Sequence, residues 1–232
     1  MAGIASILTL AAHPGTAAEP DRAKIAAAVP AKAPATPKSP RKVLVFSVTR
    51  GFHHDSIPWG VAAIEEMGKK TGAFTTVASD DLENFEKDRL AGFDVVVFNN
   101  TTMNVFLPDK KSFDALDEAG KAAARDRDLR LRKNLLEFIR SGKGFVGIHA
   151  ATDTFYDWAE YGSMIGAYFD GHPWTAGTHV CVKVDKPDHP INAGMKGIDH
   201  LEFKEECYQF RSPYSANRQD VLLRLDTDRT DM

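Results

Sequence analysis

The stretch Gly142-Lys-Gly-Phe-Val-Gly-Ile-His-Ala-Ala-Thr-Asp153 leaves this chain few folds to choose from. Just upstream, Leu131, Leu135, Phe138 and Ile139 recur at helical spacing, and Ser141-Gly142 supplies a stop. Phe145, Val146 and Ile148 then form a short apolar run with a glycine inside it, the pattern of a central parallel strand buried on both faces. His149 falls where that strand ends, and Ala150 and Ala151 are small enough for a sharp turn. Gly147-x-His149-x-Ala151 therefore has the layout of a nucleophile elbow, which lifts a reactive side chain onto the carboxyl edge of a sheet. The side chain lifted here is an imidazole, a group that works as base, acid or metal ligand more often than as nucleophile.

The same helix–strand alternation runs through the preceding hundred residues. Lys42 to Val48 is β-branched and aromatic and reads as the first strand. A helix starting at Pro58, capped by Asp55 or Ser56, presents Val61, Ile64, Met67 and Gly68 inward. Phe74 to Ala78 is a second strand, Leu82 to Leu90 a short helix, and Phe93 to Phe98 a third strand. The charged segment Pro108 to Lys133 reads as a solvated helical face. His179 to Val184, Leu201 to Tyr208 and Val221 to Leu225 are further extended stretches. The fold class is α/β, a flavodoxin-like parallel sheet with helices on both faces.

In such a sheet the carboxyl ends of the strands share one edge, so their exit loops converge. Three exits carry reactive side chains: Arg50, His53 and His54; Asn99 and Asn100; and His149 with Asp153. Of the adjacent His53 and His54, one is expected to face a ligand and the other to hydrogen-bond the backbone. Asp153 is placed either to cap the next helix or to orient His149. Farther along, His172 and Trp174 suit either an aromatic rim that stacks on a ligand ring or ordinary loop packing, and Glu205, Glu206 and Tyr208 an acid/base set, of which only one glutamate is expected to reach a given pocket because adjacent residues on a strand face opposite sides. His149, Asp153 and Glu206 are the catalytic candidates. Arg50, His53, His54, Asn99, Asn100, His172, Trp174 and Tyr208 are the ligand-binding ones.

Cofactor use stays open. His53 or His54, His149, His172 and Glu206 would suit zinc only if their loops meet, and no close-spaced H-x-x-x-H signature assigns a metal ligand. Lys+Arg 29 against Asp+Glu 32 gives a net charge of -3, which disfavours nucleic acid and leaves a small or neutral ligand as the expected partner. The oligomeric state is not legible. Cys181 and Cys207 make no disulfide framework, and whether they pair stays open.

Residues 1–18 read as a signal peptide, with the apolar run Ile4 to Ala12 and small residues at Thr16-Ala-Ala18, although the basic n-region is missing. Export to the periplasm or cell envelope follows from that reading, and an Ala-rich leader on a cytoplasmic protein is the alternative. The apolar run is too short to span a membrane. Residues 19–41, rich in Ala, Pro and Lys, read as a semi-rigid tether, and 42–232 as the folded domain.

Four motifs in order, Arg50-Gly-Phe-His-His-Asp-Ser56, Gly144-Phe-Val-Gly-Ile-His-Ala-Ala-Thr-Asp153, Gly166-Ala-Tyr-Phe-Asp-Gly-His-Pro-Trp174 and Glu205-Glu-Cys-Tyr208, resemble the ThuA-like (trehalose utilisation) family of the class I glutamine amidotransferase-like superfamily. The resemblance implies the flavodoxin-like sheet and a link to carbohydrate metabolism in bacteria that handle disaccharides or keto-sugars. It also implies a further strand and a Gly-His motif beyond Met232, so the domain reads as incomplete at its C-terminus. True amidotransferases carry cysteine on the elbow; His149 in its place argues against glutaminase chemistry. Three functions follow: an enzyme acting on an oxidised or keto-disaccharide with His149 as acid/base, a non-catalytic exported sugar-binding module, and a metal-dependent hydrolase.

Overall fold

The computed structural model describes residues 19–231. The leader read from residues 1–18 lies outside the described residues. Inside the Ala/Pro-rich stretch, where the composition suggests a tether, Asp21 caps a short helix, α1 (Arg22–Ala28), by accepting from Lys24 N. That helix docks on the next one: Lys70 donates to the carbonyls of Ala26 and Val29, and Arg22 pairs with Glu65.

The parallel sheet is built from β1 (Lys42–Phe46), β2 (Thr75–Ala78), β3 (Val95–Asn99) and β4 (Gly144–Ile148), in the spatial order β2-β1-β3-β4. Val45 pairs with Val97, Phe46 with Phe98 and Asn99 with Ile148, so the strands end nearly level. Alternate side chains of each strand point to opposite faces. Val43, Val45 and Val97 therefore meet Val61 and Ile64 of α2 (Ile57–Thr71) on one face. Leu44, Phe46, Val96 and Phe98 meet Leu131, Leu135 and Phe138 of α5 (Glu118–Arg140) on the other. Helices on both faces of a parallel sheet agree with the flavodoxin-like expectation.

Several elements differ in extent from the sequence reading. The helix ending at Arg140 begins at Glu118, capped by Asp117, because most of the charged residues that read as a separate solvated face are the outward side of the same helix; Asp128 and Arg132 are the exceptions, buried and paired with each other at 2.9 Å. Its Arg127 and Arg130 pair with Glu83 and Glu86. Residues 82–90 split into a 3-10 turn, Leu82–Phe85, and α3 (Lys87–Leu90), and α4 (Lys110–Asp114) precedes α5.

The larger correction concerns β4, expected as a central strand buried on both faces. It stands at the end of the strand order and leaves Val146 45% exposed. Phe145 faces the core, and the glycine inside the run has a packing reason: a Cβ on Gly147 would lie 2.2 Å from Ile165 Cδ1 of α6 (Ala159–Ile165).

The rest of the chain is antiparallel. A short pair, β5 (Tyr168–Phe169) with β8 (Phe210–Arg211), lies beside a three-stranded sheet in which β6 (His179–Val184) is flanked by β7 (His200–Lys204) and β9 (Leu223–Leu225). The stretch read as extended from Leu201 to Tyr208 leaves the ladder at Lys204. Its continuation keeps an alternating pattern: the amides of Glu205, Cys207 and Gln209 donate to the carbonyls of Thr178, Trp174 and Gly171. Glu206 and Tyr208 consequently share one side. Among the described residues no helix is long and apolar enough to cross a membrane.

Candidate functional site

The exits of β1, β3 and β4 are sewn together by their own polar residues. Arg50 N donates to Thr102 O, Gly51 N to Thr102 Oγ1, and Asn100 N to Ile148 O. Asn99, fully buried, donates to Ser47 Oγ and to Ile57 O, tying α2 to the sheet edge. The approach is close enough that a Cβ on Gly60 would lie 2.3 Å from Asn99 Oδ1. Asn100 and His149 both adopt left-handed backbone, φ 55° and 49°, a sparsely populated conformation for side-chain-bearing residues and one often found at functional positions. At His149 it turns the chain straight from β4 into a 3-10 turn, His149–Asp153, as the elbow pattern requires.

These loops floor an open cavity of about 900 Å³, walled on one side by Phe169, His172, Ala176, Glu205, Glu206 and Tyr208 from the later part of the chain. His149 Nε2 lies 3.1 Å from Glu206 Oε2, and His172 Nδ1 lies 3.4 Å from the other oxygen, Oε1. Tyr208 stacks on His149 and brings its hydroxyl to 3.3 Å from His54 Nε2. The His54 and His149 rings meet edge to face, 4.6 Å between centroids. Burial holds both imidazoles below their usual range, for His149 against the opposing pull of Glu206. Burial also pushes the Tyr208 phenol up, helped by Glu206, so it is a hydrogen-bond donor at neutral pH. The result is a pair of proton-accepting rings, a carboxylate between imidazoles and a phenol donor at one pole of the cavity.

Of the residues singled out from the sequence, His54, Asn99, Asn100, His149, Asp153, His172, Glu206 and Tyr208 line this cavity. Three do not. His53 points away and meets Thr49 Oγ1, while its neighbour His54 faces in. The Arg50 guanidinium donates to Leu107 O, and its partial burial lowers its pKa. Trp174 gives its indole N–H to Asp231 O. Asp153 neither caps α6 nor reaches His149: it accepts from Tyr156 Oη at 2.5 Å, and burial raises its pKa. Both Glu205 and Glu206 border the cavity, against the expectation of one; Glu206 shares the side of Tyr208, and Glu205 turns back to accept from Glu206 N.

The apolar wall was not read from the sequence. Phe52, 69% exposed, stands at the mouth, and Trp59 and Phe169 line the interior. Trp59 follows Pro58 in the first turn of α2, a position the inward stripe of that helix does not include. Phe52 sits inside the Arg50-to-Ser56 motif, where the histidines draw attention away from it.

Residues 42–232 match the model of the ThuA family, described as trehalose utilisation. The chain belongs to the ThuA family. All the cavity-lining side chains named above fall inside the matched span. Among solved structures, a ThuA-like protein from Bacteroides uniformis is 21% identical, with a TM-score of 0.56 over 83% of this chain and 71% of that one. A ThuA-like protein from Parabacteroides merdae is 17% identical, with a TM-score of 0.51 over 81% and 68%. At such identities these two likenesses speak for the fold. No curated protein matches the chain.

Proposed function

We propose that this ThuA-family chain is an enzyme of carbohydrate metabolism that binds an oxidised or keto-disaccharide in the cavity at the carboxyl edge of the sheet. The observation that carries the reading is the His149–Glu206 pair, 3.1 Å apart, set beneath an aromatic wall in a cavity large enough for two sugar rings. A disaccharide offers apolar ring faces and many hydroxyls. Phe52, Trp59 and Phe169 suit the faces; Asp55, Ser56, Asn100 and Asp153 suit the hydroxyls. His149 is the acid/base group, and Glu206 holds its ring and balances the charge it gains on taking a proton. Phe52 and Trp59 take the stacking role that the sequence suggested for Trp174. The small-residue leader supports export as the setting in which such a sugar is met.

The test is calorimetry and turnover with a panel of disaccharides and their keto forms. Wild type should bind and convert at least one. His149→Ala should lose about 100-fold or more in turnover while its melting temperature stays within a few degrees. Binding with no turnover in either protein would leave a sugar-binding module, and unchanged turnover in His149→Ala would overturn the acid/base role.

A further inference from the structure

The reacting pole holds three side chains where proton transfer needs two. His54 comes from the β1 exit, His149 from the β4 exit, and Glu206 from the chain beyond β7. One nitrogen of each ring and one carboxylate oxygen all lie within 4.8 Å of one another. A tetrahedral ion with bonds of about 2.1 Å wants donors about 3.4 Å apart, and His149 Nε2 already stands 3.1 Å from Glu206 Oε2. Small side-chain rotations would bring His54 to the same point.

We infer that His54, His149 and Glu206 form a binding site for a divalent first-row transition ion whose remaining positions open into the cavity. Two imidazoles and a carboxylate suit zinc, iron, cobalt or nickel better than calcium or magnesium, which prefer all-oxygen shells. The neighbours behave as supports for ligands. His172 engages the Glu206 oxygen that faces away from His149, and Tyr208 packs on one ring while touching the other. A separate observation points to something missing from the same wall: the side-chain oxygen of Asn100 is buried without a hydrogen-bond partner. An oxygen in that state suits a ligand bound to the ion or a water beside it.

The inference rests on reading the cavity as the reacting site. Adjacent hydroxyl and carbonyl oxygens of a keto-sugar are a natural chelating pair for the open positions. With His149 Nε2 committed to the ion, the imidazole is a ligand rather than the proton carrier, so the bare and loaded forms do different chemistry.

Cobalt(II) is the probe. Chelator-treated, full-length protein should take up one equivalent, show visible d–d absorption of an asymmetric site, and melt at a higher temperature. His54→Ala and the isosteric Glu206→Gln should each weaken uptake by about 100-fold or more, whereas His172→Ala should cost about tenfold. Circular dichroism checks that each variant is folded, and Glu206→Gln preserves the volume of the side chain. Absence of d–d absorption and of any thermal shift in wild type overturns the metal site, as does uptake indifferent to both ligand substitutions. The two readings fail separately. Disaccharide turnover that needs His149 in a protein that takes up no cobalt leaves the acid/base role standing alone, and cobalt uptake with no disaccharide binding leaves the metal site standing alone.

Discussion

Tyr208 lies flat against His149, with ring centroids 4.2 Å apart and planes inclined by 29°. The two residues come from different layers, one from the edge of the parallel sheet and the other from the antiparallel part, and their contact joins the two. Tyr208→Phe keeps the stacking surface and loses the hydroxyl near His54; Tyr208→Ala loses both. The expected order of turnover is wild type, then Phe, reduced by about threefold to tenfold, then Ala, reduced by about tenfold to 100-fold, because an aromatic pair contributes roughly 0.5–1.5 kcal/mol beyond its area. Steady-state kinetics on the substrate found by calorimetry makes the comparison, and Phe and Ala variants of equal activity would remove the stacking role.

Phe52 and Trp174 make opposite predictions although both sit in family-like motifs. Phe52 is exposed at the cavity mouth, whereas Trp174 is anchored to Asp231 O away from it. Phe52→Ala should leave the melting temperature unchanged and weaken disaccharide binding about tenfold, in line with loss of one stacking face. Trp174→Ala should lower the melting temperature and leave affinity in the folded protein nearly unaltered. Paired calorimetry and thermal melts decide between them.

Gly60 is where α2 comes nearest the sheet edge. An added methyl would meet the Asn99 carboxamide oxygen at 2.3 Å, and that carboxamide is held by Ser47 and Ile57. Gly60→Ala should destabilise the fold by about 1–3 kcal/mol despite the better helix propensity of alanine. Urea titration of Gly60→Ala, Asn99→Ala and the double variant should show a combined loss smaller than the sum of the two.

Asp153 gives the stability a pH dependence. Burial raises its folded-state pKa above that of the unfolded chain, so the folded state holds this proton more tightly. Between those two values the unfolded chain has already released it, and the contribution of Asp153 to stability falls as pH rises through the folded value. Asp153→Asn keeps an acceptor for Tyr156 and removes the buried charge. The variant should therefore melt higher than wild type at pH 7, with the gap closing as the buffer is taken below the ordinary carboxylate range. Differential scanning calorimetry across that series measures it.

The parallel sheet is legible in the sequence because buried strands must be continuously apolar and their exits must change character abruptly, as at Val48-Thr49, Phe98-Asn99 and Ile148-His149. The convergence of His54, Asn100 and His149 follows from that topology alone. The pairing of Glu206 with His149 does not. It depends on how residues 205–209 bond to residues 171–178, a contact between loops that no local periodicity encodes. The edge placement of β4 was equally hidden, since a glycine-interrupted apolar run looks the same with one neighbour or two. Phe52 and Trp59 escaped notice for another reason: a single aromatic beside charged or proline residues carries no pattern, and only the cavity gives it meaning.

The two imidazoles come from the edge of the parallel sheet and the carboxylate from the antiparallel part of the chain. Under the proposed acid/base role, turnover is therefore a reporter of layer assembly: in a gentle denaturant series it should vanish while circular dichroism still registers helices and strands.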